Sequence, residues 1–355
     1  MELDKIKKLE SSIDNLKEKR ARIYFLVQDT KGNPKASIKY IYDIALTLKN
    51  SGYNPTIIHE TKEYEGVSKW LNESYMELPH QSIDGQNLSI SPEDIIVLPE
   101  LYGHVMEQVK NLPCGKVVIC QAYDHMLETL APGVSWSQYG FYKCITTSEK
   151  QKKYISEIMK NISVDVLTPF ISEIFTKKEK PSKPIISIHT RDQRDTAKII
   201  KTFYLKYPQY RWVTFRDMRG IAMNDFSKFL QESFLSVWAD DESAFGTFPL
   251  ESMSCGTPVL GKIPNMVPEW ITEENGVWIS QFNDIVDVIA NFIQNWLEDN
   301  ISENLYEGMT KTSSMYSNKE NFESTVIELF EQYFSTRCEA FQEQLNKLNV
   351  TEETK

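Results

Sequence analysis

The chain has 355 residues, enough for two domains that each bury a core. Hydrophobic residues make up 41% and charged residues 25%, as in a soluble globular protein, and the formal net charge of −11 argues against nucleic acid or an anionic membrane as partner. No apolar run is long enough to span a bilayer, no signal peptide is visible, and five cysteines without a CxxC pair point to reduced thiols in a cytoplasm.

Met1 to Arg20 carries Leu3, Ile6, Leu9, Ile13 and Leu16 at three-and-four spacing among charges. This is an amphipathic helix that either packs on the domain behind it or pairs with a second copy as a short coiled coil. Arg22 to Val27 is the first core strand, Gln28 to Lys35 a turn, Ala36 to Lys49 a helix and Thr56 to His59 a second strand. The βαβ beginning lacks GxGxxG, which disfavours a nicotinamide site. Glu60 to Pro92 is polar and weakly periodic, with no chemistry assigned.

Asp94 to Pro99 is a buried strand ending at Glu100, and Lys116 to Cys120 is another, followed by Gln121, Tyr123, Asp124 and His125. Open α/β sheets keep their ligands at strand C-terminal ends, so these residues are site candidates. Lys143 to Ser148 is a strand and Glu149 to Asn161 a helix. Thr176 to Pro184 is a charged, proline-bearing stretch and the strongest domain boundary.

The α/β pattern then restarts. Ile185 to His189 is a strand and Thr190 to Tyr207 a helix with Arg191, Arg194 and Lys198 near its start. Tyr210 to Phe215 is the next strand, with Arg216, Asp217 and Met218 after it, and Asn224 to Ser233 is a helix. The stretch Phe234 to Gly261 reads as strand, acidic turn, short helix, tight turn and strand. Gly246 sits in the turn, Pro249 in the first helical turn, Gly256 at the helix end, and Thr257-Pro258 opens the next strand. Glu251 is placed in the first turn of this helix, whose free N–H groups suit a phosphate, and its carboxylate can accept from two ribose hydroxyls. Gln281 to Asp299 is an amphipathic helix, Ser302 to Phe334 one or two more, and Cys338 to Lys355 a charged tail expected to fray. The histidines (His59, His80, His104, His125 and His189) are scattered, so no metal site is expected.

FGTFPLESMSCGTPV resembles the donor-site signature of retaining glycosyltransferases of the GT-B fold, family four in particular. Phe245, Gly246, Pro249, Glu251, Met253, Cys255, Gly256, Thr257, Pro258 and Val259 match it. Pro268-Glu269 and Asn275-Gly276 match further on, while Pro264 and Asn265 stand where the family has a glycine pair. The motif-level resemblance runs from Val164 to Ile279. It implies an α/β, GT-B fold: two Rossmann-like domains facing across a cleft, with C-terminal helices crossing back to the N-terminal domain. The implied division is a leading helix (1–20), an acceptor-side domain (21–168), a linker (169–184), a nucleotide-sugar domain (185–301), crossing helices (302–336) and a frayed tail (337–355).

The resemblance implies transfer of a sugar from a UDP- or GDP-sugar to an acceptor glycan or other hydroxyl compound. The implied transfer is retaining and needs no metal or other cofactor; the amphipathic helix of residues 1–20 offers, separately, a homodimer contact. Glu251 would hold the ribose, and Arg191 and Lys198, with Gly246 and Thr247, the diphosphate. Arg216 and Met218 would flank the base, and Gly32 and Asn33 would face the acceptor beside Glu100, Tyr123 and Asp124. His125 would bind a sugar hydroxyl, move a proton or be structural.

The family's first glutamate falls on Ser243 by direct count. Removing Ala244 restores Glu-Ser-Phe-Gly, so Glu242 is expected to supply the acid, with Ser243 the ungapped alternative. Two other readings stand beside this one. One is a catalytically silent nucleotide-sugar-binding or scaffold protein. The other is a GT-A-type enzyme binding Mn or Mg through Asp240, Asp241 and Glu242.

Overall fold

The computed structural model describes residues 2–84, 88–177, 183–243 and 245–353. Two compact units divide the chain. The first holds Met1–Thr146, Tyr154–Leu167 and Glu320–Lys355; the second holds Thr147–Lys153 and Thr168–Lys319. Part of the expected linker, residues 178–182, lies outside the described residues.

The chain begins with α1 (Glu2–Lys17), β1 (Arg22–Leu26), α2 (Ala36–Asn50), β2 (Asn54–His59), β3 (His80–Ser82) and β4 (Ile95–Pro99). It continues through α3 (Gly103–Gln108), β5 (Gly115–Cys120), α4 (Tyr123–Thr129), β6 (Lys143–Thr146), α5 (Glu149–Ile158) and β7 (Ser163–Val166). The seven strands form one parallel sheet in the order β3-β2-β1-β4-β5-β6-β7. Its central strands are apolar on both faces. Ile23, Phe25, Val97 and Ile119 are buried on one, and Tyr24, Leu26, Leu98 and Val118 join Trp136 and Phe141 on the other. Helices covering both sides of a parallel sheet require such runs.

The second unit runs β8 (Ile185–Thr190), α6 (Gln193–Lys206), β9 (Thr214–Asp217), α7 (Met223–Glu232), β10 (Leu235–Ala239) and α8 (Thr247–Ser254). Then come β11 (Val259–Lys262), β12 (Val277–Ile279), α9 (Ile285–Leu297) and α10 (Glu303–Met315). Its five strands are parallel, in the order β12-β11-β10-β8-β9. On one face Ile186, Ile188, Val237 and Leu260 pack with Ile199 and Phe203 of α6 and Ile289 and Ile293 of α9. On the other, Trp238 and Val259 pack with Leu230, Leu250, Met253 and Met309.

The last helix, α11 (Lys319–Glu353), belongs to the first unit from Glu320 onward. Its Phe330 ring meets Phe25 at 6.2 Å, and Phe322 meets Tyr40 at 6.1 Å. The expected frayed tail is helical through Glu353, because Phe341 and Leu345 repeat the apolar stripe at helical spacing and are buried. The polar stretch from Glu60 to Pro92 contains β3, an edge strand of three residues too short for a periodic signal. The stripe of α1 is divided: Ile13 and Leu16 are buried in the first unit, while Leu3 is 59% exposed.

Among the described residues no helix is long and apolar enough to cross a membrane. All five cysteines are free thiols, and Cys114, Cys120, Cys144 and Cys255 are buried.

Candidate functional site

In the second unit the chain leaves β8 for β9 on one side and later returns to β10 on the other. The C-terminal ends of strands at such a reversal form the crevice in which open α/β sheets hold ligands. A cavity of about 540 Å³ opens there, lined by Arg191, Asp192, Asp195, Arg219, Asp241 and Phe282 among others. Arg191 follows β8. Its Nη1 lies 3.5 Å from Asp240 Oδ1, and its N–H donates to Ala239 O at 3.1 Å, so one residue joins the ends of β8 and β10. Lys198 does not line the cavity, but its ammonium sits 4.8 Å above the ring of Phe282, which does.

Arg219 was not expected here. Its Nε donates to Asp217 Oδ1 at 3.0 Å and its Nη2 to Asp217 Oδ2, a bidentate pair. Burial opposes the charge on Asp217, yet the hydrogen bonds from Arg219 prevail and hold its carboxyl below the usual value. The expected neighbours Arg216 and Met218 point elsewhere. Both Arg216 Nη atoms donate to Glu232 at 3.1 Å and its guanidinium lies 4.0 Å over Phe229, while Met218 is buried in the core with Trp238 and Phe248. Arg216 and Met218 face α7 and the core behind it, whereas Arg219, in the turn that follows β9, faces the cavity. No strand periodicity announces Arg219, because it lies in the turn beyond β9.

The turn after β10 presents three acids to three different partners. Asp240 faces Arg191, Asp241 pairs with Lys262, and Glu242 Oε1 accepts from Asn265 Nδ2 at 3.0 Å. Each of the three carboxylates thus has a partner of its own. Among the described residues no group of three or more potential ligands is placed to hold a metal ion. Ala244, the residue taken as an insertion, lies outside the described residues.

Gly246 is the N-cap of α8, with φ 73°. A Cβ there would lie 2.7 Å from Trp238 Cζ2 and 3.2 Å from Ser243 Oγ, so both conformation and space favour glycine. Thr247 opens the helix, and Pro249 falls in its first turn, where no partner for an N–H is needed. Glu251 sits one turn deeper than expected, half-buried in the second turn, because the helix already starts at Thr247. At the other end the N–H of Gly256 donates to Met253 O and that of Thr257 to Ser252 O, both at 2.9 Å, closing the helix as its glycine implies.

In the first unit the reversal lies between β1 and β4. Gly32 and Asn33 lie in the loop after β1, where the Asn33 N–H and Nδ2 both donate to Thr30 O, at 3.0 and 3.2 Å. Gln121 Nε2, after β5, donates to Ser37 O in the first turn of α2 at 3.0 Å. Glu100, after β4, is fully buried rather than open to a ligand. It accepts from the Ala122 N–H at 2.9 Å, and burial pushes its carboxyl up to about 7. Tyr123 meets Tyr154 edge-on at 5.6 Å, and His125, 40% exposed, lies 4.0 Å from Asp124. Two of the scattered histidines do meet: His59 Nε2 and His80 Nδ1 are 2.9 Å apart, beneath the stacked ring of Tyr64.

No family model and no curated protein matches the chain. Solved structures do. Sucrose-phosphate synthase from Thermosynechococcus elongatus superposes with a TM-score of 0.64 at 13% identity, over 89% of this chain and 100% of that one. HepE from Anabaena in complex with UDP-glucose gives 0.64 at 12% identity, over 88% and 99%. The pneumococcal O-GlcNAc transferase GtfA in complex with UDP and GlcNAc gives 0.61 at 9% identity, over 88% and 99%. The chain thus has the GT-B fold of these glycosyltransferase structures, over nearly its whole length.

Proposed function

We propose that the chain transfers a sugar from a nucleotide-diphosphate sugar to an acceptor hydroxyl, with retention and without a metal. The observation that carries this reading is the strand–turn–helix from Leu235 to Ser254, with glycine capping the helix at Gly246 and Glu251 one turn beyond it. Phe245, Gly246, Pro249, Glu251 and Met253 of this stretch match the donor-site signature, in a fold shared with structures that hold UDP-glucose or UDP.

In this reading the second unit binds the donor. Glu251 accepts from the ribose hydroxyls. Arg191 and Arg219 line one cavity and offer two guanidiniums to the diphosphate, each already oriented by a carboxylate, with Lys198 behind Phe282. Their work is electrostatic: they stabilise the negative charge that gathers on the leaving diphosphate. The bond from the anomeric carbon to the diphosphate breaks, and one to the acceptor oxygen forms on the same face. The acceptor proton leaves with the diphosphate. Glu242 stabilises the positive charge that develops on the sugar. The loop after β1, with Gly32 and Asn33, and the start of α4, with Tyr123 and His125, take the acceptor, a glycan or other hydroxyl compound. Four buried free thiols suit a reducing cytoplasm.

The test is release of nucleoside diphosphate from UDP-glucose, UDP-GlcNAc, GDP-mannose and ADP-glucose in excess EDTA, with the anomeric configuration of the product read by NMR. Turnover with a retained α-configuration is expected. Turnover that appears only on adding Mn or Mg contradicts the metal-free reading, and an inverted product contradicts retention.

A further inference from the structure

β10 and β11 are parallel neighbours, so the turns leaving their C-terminal ends lie side by side. Residues 262–265 grip the acidic turn there. The Lys262 ammonium pairs with the Asp241 carboxylate. The Asn265 N–H donates to Asp241 O at 2.8 Å, and Asn265 Nδ2 donates to Glu242 Oε1 at 3.0 Å. Asn265 therefore holds both the backbone of the turn and the carboxylate of the next residue. From the other side the Glu242 N–H donates to Asp240 Oδ1 at 3.2 Å, and Asp240 meets Arg191 of the cavity.

We propose that Asn265 is a positioning residue for Glu242, its side-chain amide fixing one carboxylate oxygen and so the direction of the other. This rests on the reading of Glu242 as the acid beside the donor sugar. An amide suits the task. It is a neutral donor, so it orients the carboxylate without cancelling the charge that the transition state needs. A lysine in its place would neutralise that charge, and an aspartate would repel it. Loss of the Asn265 bond loosens the carboxylate, which weakens transition-state stabilisation more than donor binding.

The test is a double-mutant cycle on nucleoside diphosphate release, using whichever of UDP-glucose, UDP-GlcNAc, GDP-mannose and ADP-glucose the wild type turns over fastest. Asn265→Ala is expected to lower kcat by about tenfold with KM within about twofold, and Glu242→Gln by about a hundredfold. The double variant should be no slower than Glu242→Gln alone, because Asn265 acts only through the carboxylate. Asn265→Asp, an isostere, should lower kcat at least as far as alanine and guards against a folding defect in the alanine variant. Multiplying effects, with the double variant about tenfold below Glu242→Gln, overturn the positioning role and leave the reading of Glu242 intact. Full turnover by Glu242→Gln, or release from none of the donors, overturns that reading and this inference with it.

Discussion

The indole of Trp238 stands so close to Gly246 that a side-chain carbon at 246 would lie 2.7 Å from its Cζ2. Trp238 is 1% exposed and wedged between Trp270 and Trp278, so it has little room to retreat. The N-terminus of α8 is therefore pinned by a core residue of β10. Gly246→Ala meets both this contact and the left-handed φ of 73°. It should cost about 2 kcal/mol or more and loosen the helix start. Denaturant melts measure the cost. A variant as stable as wild type would show that the turn relaxes freely.

Arg219 and Arg216 lie three residues apart and pair with different carboxylates, those of Asp217 and Glu232. Arg219→Gln should weaken binding of a nucleoside diphosphate by about tenfold, the loss of one charge-assisted contact. Arg216→Gln should leave binding within about twofold, because its guanidinium is committed to Glu232 and Phe229. Calorimetric titrations of the two variants decide it, and the opposite ranking would return the role to Arg216.

How far the sequence reads is clearest around this strand. The runs at Arg22, Ile95, Ile185 and Leu235 are legible because strands buried on both faces are mostly apolar, with few polar residues such as Ser187 and Ser236 to interrupt them. The helix end at Gly256 is legible because its hydrogen bonds need that residue. β9 was expected at Tyr210 to Phe215, yet it spans Thr214–Asp217, since Pro208 starts a short 3-10 turn through Tyr210. The shift places Arg216 inside the strand and leaves Arg219, in the turn beyond it, to line the cavity. The grip of Asn265 on Glu242 joins residues 23 apart through neighbouring strands, so no local spacing announces it.

Ser243 and Glu242 compete for the place of the family's first acid. Ser243 Oγ lies against Gly246, where it would be 3.2 Å from an added Cβ, while the Glu242 carboxylate is held by Asn265. Ser243→Ala should therefore keep kcat within about twofold, against the hundredfold loss from Glu242→Gln. Steady-state kinetics on both variants checks the order, and its reversal would place the acid's role at position 243.

Glu100 makes stability depend on pH. Burial raises its carboxyl from 4.5 to about 7 in the folded chain, although hydrogen bonds to it pull the other way. The folded state keeps a proton that the unfolded state releases, so its contribution is full below 4.5 and is lost as pH rises through 7. Buried His59 and His189, each lowered to about 4, act in the opposite sense: theirs is present above 6.5 and lost as pH falls through 4. Glu100→Gln keeps an acceptor for the Ala122 N–H and removes only the carboxyl proton. Between pH 4.5 and 7 the variant should gain on wild type by on the order of 3 kcal/mol in denaturant melts. Parallel curves for the two proteins would place the Glu100 carboxyl at its ordinary value.

In the proposed function the second unit holds a nucleotide-diphosphate sugar through α8 and its neighbours. Calorimetric titration of UDP, GDP and ADP in EDTA, on wild type and on Glu251→Ala, tests it most directly. At least one nucleotide should bind the wild type, and Glu251→Ala should bind it about 30- to 150-fold more weakly, the loss of two hydrogen bonds to a charged acceptor. No heat with any of the three, or an equal affinity in a folded Glu251→Ala, would contradict the account.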